Sequence, residues 1–288
     1  MSATEPPKPA ERPGGLLSRI SPALVVYHDP RSMQAEQYRA FRTNLTALNR
    51  GGAPWVVVVT SSRNGEGKSI TIANVAACLA ELPGQRVCLM DVDFRRPSQS
   101  NLFAQANTPG VSELLADKAS LEQVALPTVI PALELIPAGS EPRNSAELLG
   151  SERFTGLLGE LRRNYSWILI DTPPVHPYTD ACVLATRTNG VLLVVRMEET
   201  ARDLAQKSIQ SIQRAGGKVL GTFLTGLPGD REDGDRIGYY DIHGGGPTDA
   251  ARAKARREAD KRLRDQEQAW LKKQAEEIRG KDRGEPEV

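Results

Sequence analysis

The chain has 288 residues, 39% of them hydrophobic and 25% charged, which suits one ordinary α/β domain with polar appendages. Lys and Arg (37) nearly cancel Asp and Glu (36), and a net charge of +1 gives no electrostatic ground for a nucleic-acid partner. Three cysteines inside apolar patterns exclude a disulfide framework, and no apolar run nears the ~18–20 residues of a membrane helix, so a soluble cytoplasmic chain without a signal peptide is expected.

Residues 1–31 are rich in Pro, Gly and Ser and read as a flexible N-terminal arm, with short apolar pieces such as 23–27. Ser32 is a plausible N-cap for a helix over 32–50, in which Met33, Tyr38, Phe41 and Leu45 form one stripe and which Gly51 and Gly52 end. On it Glu36, Arg39 and Arg42 fall three apart on neighbouring positions of one face. From the residues alone they are either a solvated face with an ion pair or a contact between subunits.

Four consecutive valines, Val56 to Val59, predict a strand buried on both faces. A turn of small residues leads through Asn64, Gly65, Glu66 and Gly67 to Lys68, Ser69 and Ile70, where an apolar helical pattern begins. Strand, glycine loop and helix in that order make a phosphate cradle, since backbone N–H groups and the helix N-terminus converge on an anion. Lys68 is placed to reach β- and γ-phosphates and the Ser69 hydroxyl to ligate Mg²⁺. Ser62 stands where the usual first glycine would be.

Further strands are predicted at 87–90, 133–136, 167–170, 190–195 and 219–224, with helices at 69–82, 151–163, 180–186 and 201–215 between them. Residues 98–125 read as loop with short helices near 111–115 and 121–125. This alternation over 51–227 implies a doubly wound, mostly parallel sheet, a P-loop α/β domain binding its ligand at the carboxyl ends of the strands. Asp91 and Asp93, and Asp171, follow two of those strands. Taken singly, an Asp at a strand end is most often a turn or cap residue. Three of them opposite a phosphate loop point instead to Mg²⁺ binding and proton acceptance in phosphoryl transfer. His28, His176 and His243 have no metal-like spacing. Residues 228–247 form a Gly- and Asp-rich linker carrying Tyr239 and Tyr240, and 248–288 a charged helical tail.

Three stretches together, Thr60 to Ser69, Asp91 to Pro97 and Ile168 to Pro174, resemble the bacterial tyrosine kinases (BY-kinases) of exopolysaccharide and capsule synthesis, within the partition-type P-loop ATPases. The resemblance runs from about Met33 to Leu227, and Asp-x-Asp-x-Arg-Arg-Pro is its most specific element. It implies Mg-ATP as cofactor and tyrosine autophosphorylation as activity. Lys68 would neutralise phosphates, Ser69 and Asp171 would hold Mg²⁺, Asp91 would serve as base or metal contact, and Asp93 would support the metal shell. The spacing of Glu36, Arg39 and Arg42 matches the family's ring-forming motif, implying a homo-oligomer in which one subunit's tyrosines enter the next one's site. Tyr239 and Tyr240 are the phosphoacceptor candidates, and a separate transmembrane chain-length protein is the implied activator. Thr225 stands where related ATPases often carry an adenine-contacting asparagine. The rival readings are a positioning ATPase, which Arg63 fits as a substitute for a second loop lysine, and an ATP-binding scaffold without kinase activity.

Overall fold

In the computed structural model, which describes residues 20–52 and 54–226, the four valines lie in β1 (Trp55–Ser61) at the middle of a seven-stranded sheet. The other strands are β2 (Val87–Asp91), β3 (Leu126–Pro127), β4 (Leu133–Ile136), β5 (Trp167–Asp171), β6 (Gly190–Arg196) and β7 (Val219–Thr225). They are ordered β3-β4-β2-β5-β1-β6-β7, and every pair is parallel except β3 with β4. The described residues belong to the first of two units, Met1–Ile242 and His243–Val288.

Alternate residues of a strand face opposite sides, so a central strand covered on both sides must be apolar throughout. Val57 and Val59 join Leu89 and Leu169 in packing on Phe41, Leu45, Ile72 and Leu79. Val56 and Val58, with Met90 and Ile170, pack on Phe154, Leu158, Leu161 and Leu184. The first of these layers is supplied by α1 (Val25–His28), α2 (Met33–Leu48) and α3 (Lys68–Ala80). The second is supplied mainly by α8 (Glu152–Asn164) and α9 (Asp180–Ala185). Short helices α4 (Gln99–Leu102), α5 (Val111–Leu115), α6 (Leu121–Val124) and α7 (Ser145–Gly150) sit in the connections, and α10 (Arg202–Arg214) joins β6 to β7.

Ser32 caps α2 as expected, its hydroxyl accepting from the Ala35 N–H at 3.2 Å. The helix stops at Leu48, before the glycine pair expected to end it. Part of the expected N-terminal arm differs more: Ile20, Leu24 and Val26 are buried in the first layer. Asn74 of α3 fastens this segment, accepting from the Val26 N–H at 3.1 Å and donating to the Ala23 carbonyl at 2.9 Å. A helix of four residues is too short to show a period, so only its burial distinguishes it from an arm. Tyr239, Tyr240 and the expected tail over 248–288 lie outside the described residues.

Candidate active site

The loop between β1 and α3 turns on two left-handed glycines, Gly65 and Gly67, both at φ +87°. That conformation is costly for any residue with a Cβ and lets successive N–H groups converge on an anion. Gly67 is also the N-cap of α3. The Glu66 side chain turns back into the protein, where its Oε2 accepts the N–H groups of Ser62 at 2.7 Å and Arg63 at 3.1 Å, and its Oε1 accepts from the Thr200 hydroxyl. Thr225 donates to the Glu66 carbonyl at 2.8 Å, and Ser208 donates to the Ser62 hydroxyl at 2.9 Å. The ends of β6 and β7 and helix α10 thus brace the loop. Thr225 has this bracing bond where a base-contacting asparagine was the comparison.

Register brings the acids together. Asp91 and Asp171 are paired partners at the ends of β2 and β5, and β1, which feeds the loop, flanks β5 on the other side. The Lys68 ammonium lies between two of the acids, 2.9 Å from Asp93 Oδ2 and 3.2 Å from Asp171 Oδ1, and touches the Ser69 hydroxyl at 3.0 Å. Side-chain exposures of 10% for Lys68, 4% for Asp93 and 0% for Asp171 make this a buried ion cluster. Burial opposes the ammonium charge, but Asp171 and then Asp93 outweigh it and hold the Lys68 pKa above its ordinary value.

Asp91 is held differently. Its Oδ1 accepts the Asp93 N–H at 3.0 Å, and its Oδ2 accepts those of Ser98 at 2.9 Å and Gln99 at 3.1 Å. It therefore closes the loop that carries Asp93 and starts α4. Burial first, and the Asp171 charge second, push its carboxyl up to about 7, against the pull of those N–H groups.

Gln99, which no motif spacing marks, lies at the centre of the cluster. Its amide nitrogen donates to Asp171 Oδ2 at 2.7 Å and to the Ser69 carbonyl at 3.0 Å. Arg95 was visible only as part of the Arg-Arg-Pro element. It pairs with Asp180 at 3.3 Å, donates to Ser145 at 2.9 Å and lies 4.2 Å from the Tyr178 ring centre. These residues, with Phe94, Arg143 and Pro177, line a cleft of about 330 Å³ that begins one residue past Asp93.

Glu36, Arg39 and Arg42 are engaged within the chain. Arg39 forms two bonds to Glu81, at 3.0 and 2.7 Å, and one to Glu36 at 2.6 Å. Arg42 bonds Glu81 and the Cys78 carbonyl, each at 3.0 Å. Glu81 caps the C-terminus of α3, so these residues clamp α2 to the phosphate-loop helix.

Ser69 and Asp171 offer hard oxygen donors of the kind Mg²⁺ takes. Among the described residues no group of three His, Cys, Asp or Glu side chains is arranged to hold a metal unaided. The set therefore fits an ion that shares its ligands with a bound phosphate.

Parallel sheet, glycine loop and facing acids define a P-loop nucleotide-binding domain, and a family model described as an AAA domain matches residues 55–219. Tyrosine-protein kinase YwqD of Bacillus subtilis (strain 168) is 32% identical over 223 residues, covering 77% of this chain and 93% of that one. Tyrosine-protein kinase wzc of Salmonella typhi is 31% identical over 218 residues, covering 76% of this chain and 30% of that longer one. The solved kinase domain of Escherichia coli tyrosine kinase ETK superposes with a TM-score of 0.70 at 29% identity, covering 77% of this chain and 86% of that one. The chain belongs to the bacterial tyrosine-protein kinase family.

Proposed function

We propose that this chain is an ATP-dependent protein-tyrosine autokinase that transfers the γ-phosphoryl of Mg-ATP to a tyrosine of a neighbouring copy and thereby regulates exopolysaccharide or capsule synthesis and export. The observation that carries this reading is the buried Lys68 held between Asp93 and Asp171 at the start of α3. Such a lysine neutralises phosphate charge, and its departure from the carboxylates frees them to face a cation. Residues 64–70 would cradle the phosphates, and Ser69 and Asp171 would hold the ion, with Asp93 beside them. Mg²⁺ supplies charge neutralisation across the β- and γ-oxygens when bound. Asp91, its carboxyl near 7, is suited to take the phenolic proton. Phe94, Tyr178, Arg95 and Arg143 give the adjoining cleft aromatic and cationic groups, beside the acids Glu141 and Asp180, that suit a tyrosine followed by an acid, as Tyr240 is by Asp241.

Glu36, Arg39 and Arg42 are proposed to contact the next subunit when the homo-oligomer forms, which requires Arg39 and Arg42 to exchange Glu81 for a partner. A separate transmembrane activator would bring the chain to the inner face of the membrane. No helix of the described residues is long and apolar enough to cross one. The reaction class proposed is that of a non-specific protein-tyrosine kinase.

Purified protein is incubated with labelled ATP, with and without the activator's cytoplasmic segment, and probed for phosphotyrosine. Loss of signal in both Lys68→Met and the Tyr239→Phe/Tyr240→Phe double variant supports the kinase. Steady ATP hydrolysis without phosphotyrosine refutes it in favour of a positioning ATPase. Nucleotide binding with neither activity favours the scaffold.

A further inference from the structure

We propose that Gln99 is a positioning residue for the metal-binding pair, its amide locking the Asp171 carboxylate to the main chain of Ser69. This rests on the reading that the loop binds a magnesium nucleotide. Gln99 is fully buried, and its nitrogen donates to Asp171 Oδ2 at 2.7 Å and to the Ser69 carbonyl at 3.0 Å. Both partners are acceptors only, which fixes the amide orientation and uses both of its N–H bonds.

Two consequences follow from that arrangement. Asp171 has its oxygens divided, Oδ2 to Gln99 and Oδ1 to Lys68. When Lys68 turns to a phosphate, a single oxygen with a fixed direction is left for the ion or its waters. The Ser69 hydroxyl, proposed as the other ligand, belongs to the residue whose carbonyl Gln99 holds, so the spacing of the two ligands is set by one side chain. Such outer partners are what orient the groups that touch a metal.

The position of Gln99 is set in turn by Asp91, whose Oδ2 accepts the backbone N–H groups of Ser98 and Gln99 and so pins the start of α4. The Gln99 Oε1 is buried without a hydrogen-bond partner among the described residues. Buried acceptors rarely go unsatisfied, and a water of the ion's shell is a donor of the kind this oxygen would take.

The full chain is titrated with a fluorescent methylanthraniloyl-ADP, first in EDTA and then at increasing Mg²⁺. Gln99→Met, close in volume but without a donor, is compared with wild type. Its nucleotide affinity in EDTA stays within about twofold, while the Mg²⁺ concentration giving half of the metal-dependent signal rises roughly 10–100-fold. Gln99→Asn, an amide too short to span both partners, gives the same split and carries the test if the methionine variant does not fold. An unchanged Mg²⁺ requirement, or an equal loss in EDTA and in Mg²⁺, overturns the assignment. A wild-type chain that binds no nucleotide under either condition overturns the nucleotide reading as well, which separates the two failures.

Discussion

Removing the Lys68 ammonium tests the electrostatics of the site without any ligand. In Lys68→Met the methionine keeps most of the stem's volume, but Asp93 and Asp171 lose the cation that lies 2.9 and 3.2 Å from them. Both carboxylates are more than nine-tenths buried, so water does not replace it. Breaking a buried pair from one side costs about 3–5 kcal/mol, because the remaining charge stays buried without a partner. For a domain of this size each kcal/mol lowers Tm by roughly 2–4 °C, so the variant is expected to melt roughly 6–20 °C below wild type at pH 8. The Lys68 charge is one of the groups that pull the raised Asp91 carboxyl down, so without the ammonium Asp91 holds its proton more tightly still, and the variant gains stability relative to wild type as pH falls from 8 to 5. Thermal melts across pH measure both effects. A variant as stable as wild type at pH 8, with the same pH profile, refutes the view that this lysine is the internal counter-ion of the site.

The folded Asp91 carboxyl, raised to about 7, binds its proton more tightly than in the unfolded chain. The part of wild-type stability that Asp91 carries is therefore lost as pH rises between about 4 and 7, and Asp91→Asn removes that part of the urea-denaturation profile. Glu81→Gln weakens the clamp between α2 and α3 and lowers stability by on the order of 1 kcal/mol, an effect that shrinks in high salt. Arg39 foremost holds the Glu81 carboxyl below its usual range, so the clamp's contribution is present near neutral pH and fades as acid titrates that carboxyl. Gly67→Ala puts a Cβ on a residue at φ +87°, 3.5 Å from Thr225 Cγ2. About 1–2 kcal/mol of backbone strain is expected, seen as a lower Tm and weaker binding of fluorescent ADP.

Much of the fold was legible in the chain, for reasons visible in its residues. The valine run announces β1, and the stripe of Met33, Tyr38, Phe41 and Leu45 behind Ser32 announces α2, because long elements with a buried face repeat their pattern. Helices α4 and α7, of four and six residues, complete too few turns to show a period. The two-residue β3 forms only because β4 offers it an antiparallel edge. The site divides in the same way. The loop and the strand-end acids carry their spacing in the chain, whereas their partners are contacts across large sequence separations. Gln99 meets Asp171 across 72 positions and Arg39 meets Glu81 across 42. From the residues alone Asp91 could be read as ligand, base or turn former. The fold gives it three backbone N–H groups to hold.

The bond set of Asn74 has a mechanical meaning. This one side chain grips the segment around Ala23 and Val26 and, at 2.9 Å, the Ile70 carbonyl in the first turn of α3. The described chain thus enters the domain already fastened to the first turns of the helix that starts at Lys68. A pull applied upstream of Ile20 meets the buried Ile20 side chain and the Ser21 N–H bond to the Leu102 carbonyl first, and then the Asn74 fastening to the helix that begins with Lys68.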